Sequence, residues 1–227
     1  MIIKKLRAIL GKLLSNIEPH YFESLLGYSI VFNTFKDLKN SKIFSARELL
    51  WDYAIELSID EFQDVTFIEF GVHEGYSLQY FSKNIKSKNS IFIGLDSFEG
   101  LPESWGVLPA GNFSTNKIAP RIGDDRVSFI EGWFQDTSSV LLNSIQGRSN
   151  LLVHFDADLY SSTLFTLTIL DSLKKPYFAI FDEFHGGEDR ALYNYIQAYY
   201  ARVEFIGKTL NENKIPNQIL CKISPKI

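Results

Sequence analysis

Cysteine is almost absent from this chain: Cys221 stands alone, inside the apolar run QILCKIS. A single thiol closes no internal disulfide, and nothing around it points to an oxidising compartment, so it reads as a small buried hydrophobe. Long apolar runs are lacking too. No segment approaches the ~18 uninterrupted apolar residues of a membrane span. Gly11 and Lys12 interrupt any signal-peptide core, and no small-residue cleavage site follows. The expected location is cytoplasmic. Positive charge is not in excess: a net charge of −4 offers no broad attraction to nucleic acid, which is not an expected partner. Internal repeats, low-complexity tracts and Ser/Gly linkers are missing as well. With 45% hydrophobic content over 227 residues, a disordered scaffold is excluded, and one large domain, or a core with a helical extension, can bury a substantial interior.

The chain opens on an amphipathic pattern. Ile2, Leu6, Ile9, Leu10, Leu13, Leu14 and Ile17 recur at helical spacing, with Lys4, Lys5, Arg7 and Lys12 mostly on the other side. A basic helix of this kind can lie on a membrane. Capping the domain, or pairing with another subunit in a homo-oligomer, is the expected use instead, and a membrane is not an expected partner. From Glu18 to about Glu61 the pattern is irregularly helical and aromatic-rich, with Ser45 or Ala46 opening its best helix, ARELLWDYAIEL. Residues 1–62 are therefore expected to form a helical cap over a core domain of residues 63–227.

After Asp64 strands and helices alternate in the α/β manner. Strands are expected near Thr66–Phe70, Ile91–Leu95, Val127–Glu131, Leu151–Phe155, Tyr177–Phe181, Val203–Lys208 and Gln218–Ser224. Helices are expected near Tyr76–Lys86, Thr137–Ile145, Ser161–Leu173 and Arg190–Tyr199. Most of the strands are continuous apolar runs, as a parallel sheet covered on both faces requires. The expected fold is a doubly wound, mostly parallel sheet of seven strands. One interval breaks the alternation: SFEGLPESWGVLPAGNFSTNKIAPR, from Ser97 to Arg121, is rich in Gly and Pro and follows a strand's carboxyl end. It reads as a lid.

The stretch FIEFGVHEGYS, Phe67 to Ser77, reads as a buried strand turning tightly through Gly71 and Gly75 into a helix near Tyr76. Glycine lets a backbone approach a ligand closely, and the helix start offers unpaired N–H groups, so such turns hold nucleotide-like ligands. An ordinary tight turn would leave the same pattern. Glu69 would repel a pyrophosphate and attract a sulfonium, and His73 stands where the dinucleotide pattern needs its middle glycine; both favour S-adenosylmethionine over NAD.

Ligands of a doubly wound sheet bind beyond the strands' carboxyl ends. Here those ends are Glu69 and Gly71, then Asp96, then Gly132 and Trp133, then Asp156 and Asp158, then Asp182 and Glu183. Asp96 is placed to accept hydrogen bonds from both hydroxyls of a ribose, though it could simply cap the following segment. Gly132, Trp133, Phe134 and Gln135 offer backbone approach and an edge for adenine. Up to four carboxylates converge where Asp156, Asp158, Asp182 and Glu183 end adjacent strands. Such crowding raises their pKa values unless a cation joins them, and a hard divalent ion, most plausibly Mg2+, resolves it. Caps and surface acids that never meet would leave the same residues. His154 and His185 read as structural, and His73 could contact a cofactor.

The runs EFGVHEG, GLDSFEGLPESW, EGWFQDT, HFDADLYSST and IFDEF, in this order between about Phe67 and Phe184, resemble the macrocin O-methyltransferase family. Its members are S-adenosylmethionine-dependent and usually magnesium-dependent enzymes that methylate sugar hydroxyls of natural products. The resemblance implies a Rossmann-like class I methyltransferase fold. It also implies that Glu69 and Gly71, with Gly75 and Ser77, line the methionine end of the cofactor. Asp96 and Ser97 would take its ribose, and Gly132 with Trp133 its adenine side. Asp156, Asp182 and Glu183 would hold the metal, and Asp158 or Asp156 would assist deprotonation, with Asp156 also at the cofactor. Glu183 departs from the aspartate or asparagine expected there, and the region after Phe184 matches poorly, which leaves the acceptor open. Two rival readings remain at this level: a metal-dependent nucleotide-sugar glycosyltransferase using Asp-x-Asp, and a non-catalytic interaction module.

Overall fold

The computed structural model describes residues 2–15, 19–185 and 187–226. Ile17, counted above in the apolar stripe, and Glu18, which opens the cap region, lie outside the described residues. In chain order the elements are α1 (Ile2–Leu13), α2 (Pro19–Asn33), a short 3-10 turn (Lys36–Asn40), β1 (Lys42–Phe44), α3 (Arg47–Phe62), β2 (Thr66–Phe70), α4 (Tyr76–Asn84), β3 (Ile91–Asp96), β4 (Val127–Glu131), α5 (Phe134–Ser144), β5 (Leu151–Phe155), α6 (Tyr160–Asp171), β6 (Tyr177–Phe181), α7 (Glu188–Tyr199), β7 (Arg202–Leu210) and β8 (Pro216–Ser224).

The strands form one sheet in the order β1-β7-β8-β6-β5-β2-β3-β4. Among the described residues β8 alone runs antiparallel to its neighbours, β6 and β7. The sheet is thus mostly parallel, as expected, but it has eight strands rather than seven. The addition is β1, drawn from the segment expected to be helical, which pairs Lys42 to Phe44 with Gly207 to Thr209. Three residues are too few to display a period of two, so the sequence pattern carries no sign of it.

Strands β2, β5 and β6 are buried along their whole length. Their side chains alternate between two helical layers, so consecutive residues serve different cores. Ile68 and Phe70 of β2 and Val153 and Phe155 of β5 join a cluster with Leu141 of α5, Leu167 of α6 and Leu192 of α7. Phe67 and Leu152 instead join Leu50 and Trp51 of α3 and Leu78 and Phe81 of α4. Trp51 is 1% exposed, and its indole N–H finds no hydrogen-bond partner among the described residues. Burying roughly 200 Å² of ring at about 25 cal/mol/Å² outweighs the roughly 1–3 kcal/mol of an orphaned donor, which is why α3 holds its place.

The N-terminal helices behave differently from one another. α2 packs against α7 and puts Ile30 and Val31 into the core. α1 lies open: every residue from Ile3 to Ser15 is exposed, including Leu6, Ile9 and Leu13. No helix among the described residues is long and apolar enough to cross a membrane.

Candidate active site

The chain crosses to opposite sides of β2, with β3 on one flank and β5 on the other, so a crevice opens above their carboxyl ends. A cavity of about 260 Å³ lies there. It collects Gly71, Asp96, Ser97, Gly132, Trp133, Asp156, Asp158, Asp182 and Glu183, all singled out from the sequence, along with His73, Phe134 and Gln135.

Two features shape its β2–β3 side. Gly71 has φ +90, and a Cβ there would lie 1.8 Å from the Asp156 carbonyl oxygen, so the turn passes against β5 at a distance open to glycine alone. Asp96 fastens the same turn. Its Oδ2 accepts the Val72 and His73 N–H groups at 2.8 and 2.9 Å, and its Oδ1 accepts the Phe98 N–H at 2.7 Å. One carboxylate therefore ties the end of β3 to the loop after β2 and to the start of the long loop.

Three expected cofactor residues are not in the cavity lining. Glu69 has the parity of Phe67 and points into the α3–α4 layer, where it is 0% exposed. Its Oε1 meets Nδ1 of His154, its register partner on β5, at 2.8 Å. Ser77 is buried in α4, and Gly75 lies beneath the long loop, where a Cβ would come within 2.8 Å of Pro120.

His154, which reads as structural in the sequence, stands between acids. Its Nε2 lies 3.4 Å from Asp182 Oδ1 and reaches no hydrogen bond. Burial alone would depress its pKa, yet Asp182 and Glu69 on either side hold it well above the ordinary value. The cause is positional: residues 154, 156 and 182 share one face at adjacent strand ends. His154, Asp156 and Asp182 each offer one ligand atom, and these atoms lie within 4.8 Å of one another.

Asp156, Asp158, Glu183 and Glu188 resist ionisation. Burial, then Asp182, pushes Asp156 well above the usual range. Burial, then Glu183 and Asp182, pushes Asp158 up to about 7. Burial also raises Glu183 and the fully buried Glu188, whose Oε2 accepts the Glu183 N–H at 3.1 Å. With Nδ1–H turned to Glu69, the other imidazole nitrogen of His154 would, on losing its proton, complete with the two carboxylates a donor set that fits a divalent cation. Glu183 lines the same cavity but stands outside this three-residue group. His185 faces elsewhere, with its Nε2 2.8 Å from Asn217 Oδ1.

The interval from Ser97 to Arg121 carries no regular helix and folds on itself. Leu101 and Asn112 are joined by an N–H to carbonyl bond of 2.9 Å, and Trp105 and Leu108 pair across a tight turn. It sends Leu101, Pro102, Trp105 and Phe113 into the cavity, and Phe113 meets the His73 ring edge-on at 5.7 Å. These aromatics were not foreseen individually. The signal for them was the placing of large apolar residues in a Gly/Pro-rich loop at a strand end.

No protein-family model matches the chain, and no curated protein sequence is similar to it. Solved structures are. The calicheamicin methyltransferase CalS11 superposes with a TM-score of 0.56 at 17% identity, over 88% of this chain and 91% of that one. An O-methyltransferase from Bacillus cereus in complex with SAH does so with a TM-score of 0.52 at 11% identity, over 95% and 97%. The fold is that of the class I methyltransferases. A second, apo structure of CalS11, described as a TDP-rhamnose 3'-O-methyltransferase, matches at 20% identity with a TM-score of 0.51, over 76% of this chain and 78% of that one. At such identities the likeness carries the methyltransferase fold, and the chemistry of this chain rests on its own residues.

Proposed function

We propose that this chain is an S-adenosylmethionine-dependent O-methyltransferase acting on a hydroxyl of a sugar or glycosylated small molecule, with a divalent cation, magnesium, at its acidic corner. One observation carries the reading: the glycine turn at Gly71, Asp96 and the Gly132–Trp133 edge line the same cavity as Asp156, Asp158, Asp182 and Glu183. The first group suits a nucleoside, and the second has the chemistry to hold a cation and take up a proton. The macrocin-like motifs and the sugar named in the description of CalS11 support the acceptor class.

The residues divide the work as follows. Asp96 has about four acceptor positions and spends three on backbone N–H groups, so it takes about one ribose hydroxyl rather than two. Ser97 lies beside it for the other. Gly132 and Trp133 border the adenine side, and Gly71 admits the methionine end. Glu69, sealed from the cavity, acts at one remove by holding His154 in place. Asp156 and Asp182, with His154 Nε2 beside them and Glu183 on the same wall, would hold the cation. Bound there, the ion would make an acceptor hydroxyl more acidic and neutralise the cluster, while S-adenosylmethionine would supply the methyl group. Asp158, outside the three-residue group, receives the hydroxyl proton: burial, the largest cause of its raised carboxyl, persists when a cation neutralises the neighbouring acids and keeps it more basic than a free aspartate. Trp105, Phe113 and Leu101 exclude water over the reacting groups.

The test is methyl transfer from S-adenosylmethionine to a panel of sugar and glycoside acceptors, with and without magnesium. Asp156→Ala is expected to abolish turnover while leaving S-adenosylhomocysteine affinity nearly intact. Loss of that affinity would move Asp156 out of the cation site and into the cofactor site.

A further inference from the structure

Among the described residues, α1 is a helix with no partner in its own chain. It has twelve residues, spans ~18 Å, and is exposed at every described side chain. Ile3, at 67%, and Leu13, at 70%, are the most exposed of its apolar residues, and Leu6, Ile9 and Leu10 lie on the same side. Helices shorter than ~12–15 residues are marginal in water without tertiary contacts, so α1 persists where something covers its apolar side.

Charge selects the cover. α1 carries Lys4, Lys5, Arg7 and Lys12 and no acid, although the chain as a whole has a net charge of −4. Arg7 flanks the apolar stripe on one side, with Lys5 and Lys12 on the other. Two copies of α1 laid stripe to stripe would therefore bring like charges together along both flanks of the seam. A negatively charged bilayer removes that conflict: the stripe enters the acyl boundary while the flanking cations meet lipid phosphates. α2 adds apolar surface, leaving Phe22, Leu25, Leu26 and Phe32 exposed.

We infer that α1 docks the protein, in the plane of the interface, on an anionic phospholipid surface. It departs from the sequence-based expectation that the helix caps the domain or pairs subunits, and it is independent of the proposed methyl transfer. The chain outside α1 is net acidic, so charge favours attachment through α1.

Flotation of the full chain with vesicles tests this. Binding to phosphatidylcholine vesicles containing one-third phosphatidylglycerol is expected to exceed binding to pure phosphatidylcholine by at least about tenfold, and to fall as salt is raised from about 0.05 to about 0.5 M. Leu6→Glu/Leu13→Glu is expected to abolish binding, and Lys5→Gln/Lys12→Gln to reduce it several-fold. Both pairs sit on a helix that buries nothing, so an unchanged melting curve will confirm that the domain is folded. Equal binding to both vesicle types, or none, overturns the inference. So does a solution dimer, seen by sedimentation, that Leu6→Glu/Leu13→Glu converts to monomer.

Discussion

Asp96 shows how one side chain shapes a binding loop before any ligand arrives. Its oxygens replace water for three backbone N–H groups that no regular element satisfies. Asp96→Ala is expected to lower stability by about 2–4 kcal/mol in urea unfolding and to weaken S-adenosylhomocysteine binding together with it. Asp96→Asn, which keeps one acceptor oxygen, should fall between. Asp189 provides a pH handle away from the cavity. It is 1% exposed, accepts the Arg190 N–H at 2.8 Å, and burial holds its carboxyl above the usual range. The folded chain therefore keeps a proton that the unfolded chain releases. Stability from this group is full below the unfolded pKa of about 4 and is lost as pH rises towards the folded value. Asp189→Asn should be stabilised relative to the parent increasingly from pH 4 upward, read as urea midpoints across that range. At this scale the sequence was informative about acids at strand ends and less so about where they point. Glu69 stands two residues after Phe67, and the period of two that buries Phe67 against α4 also turns Glu69 away from the cavity. The pairing with His154 needed the β2–β5 register, which local sequence does not contain.

Among the elements, the seven strands expected after Asp64 were legible because they are apolar runs bounded by turns, and the helices between them because of their spacing. Boundaries moved where a turn residue was ambiguous: α5 begins at Phe134 rather than Thr137, since Trp133 starts the helix with extended backbone and its carbonyl accepts the Thr137 N–H. The contact of α2 with α7 was not legible, because it depends on one glycine. A Cβ on Gly27 would lie 2.3 Å from Asp189 Oδ2. Gly27→Ala is expected to push α2 away from α7 at a cost of about 1–3 kcal/mol, seen as a lower melting temperature with the sheet retained. Preserved stability would show that Asp189 can swing aside.

For the whole molecule, alternation announced a doubly wound sheet, but strand order and the reversal of β8 come from long-range pairing that no local pattern records. The position of the cavity follows from that order, which brings β2 and β5 together and with them Gly71, Asp156 and Asp182. We propose that this crevice is built for an adenosylated methyl donor. Calorimetry with S-adenosylhomocysteine, set against a nucleoside diphosphate under the same conditions, tests it most directly. The geometry predicts saturable binding of one S-adenosylhomocysteine per chain and no measurable heat from the diphosphate. Silence with S-adenosylhomocysteine, or tighter binding of the diphosphate, would contradict it.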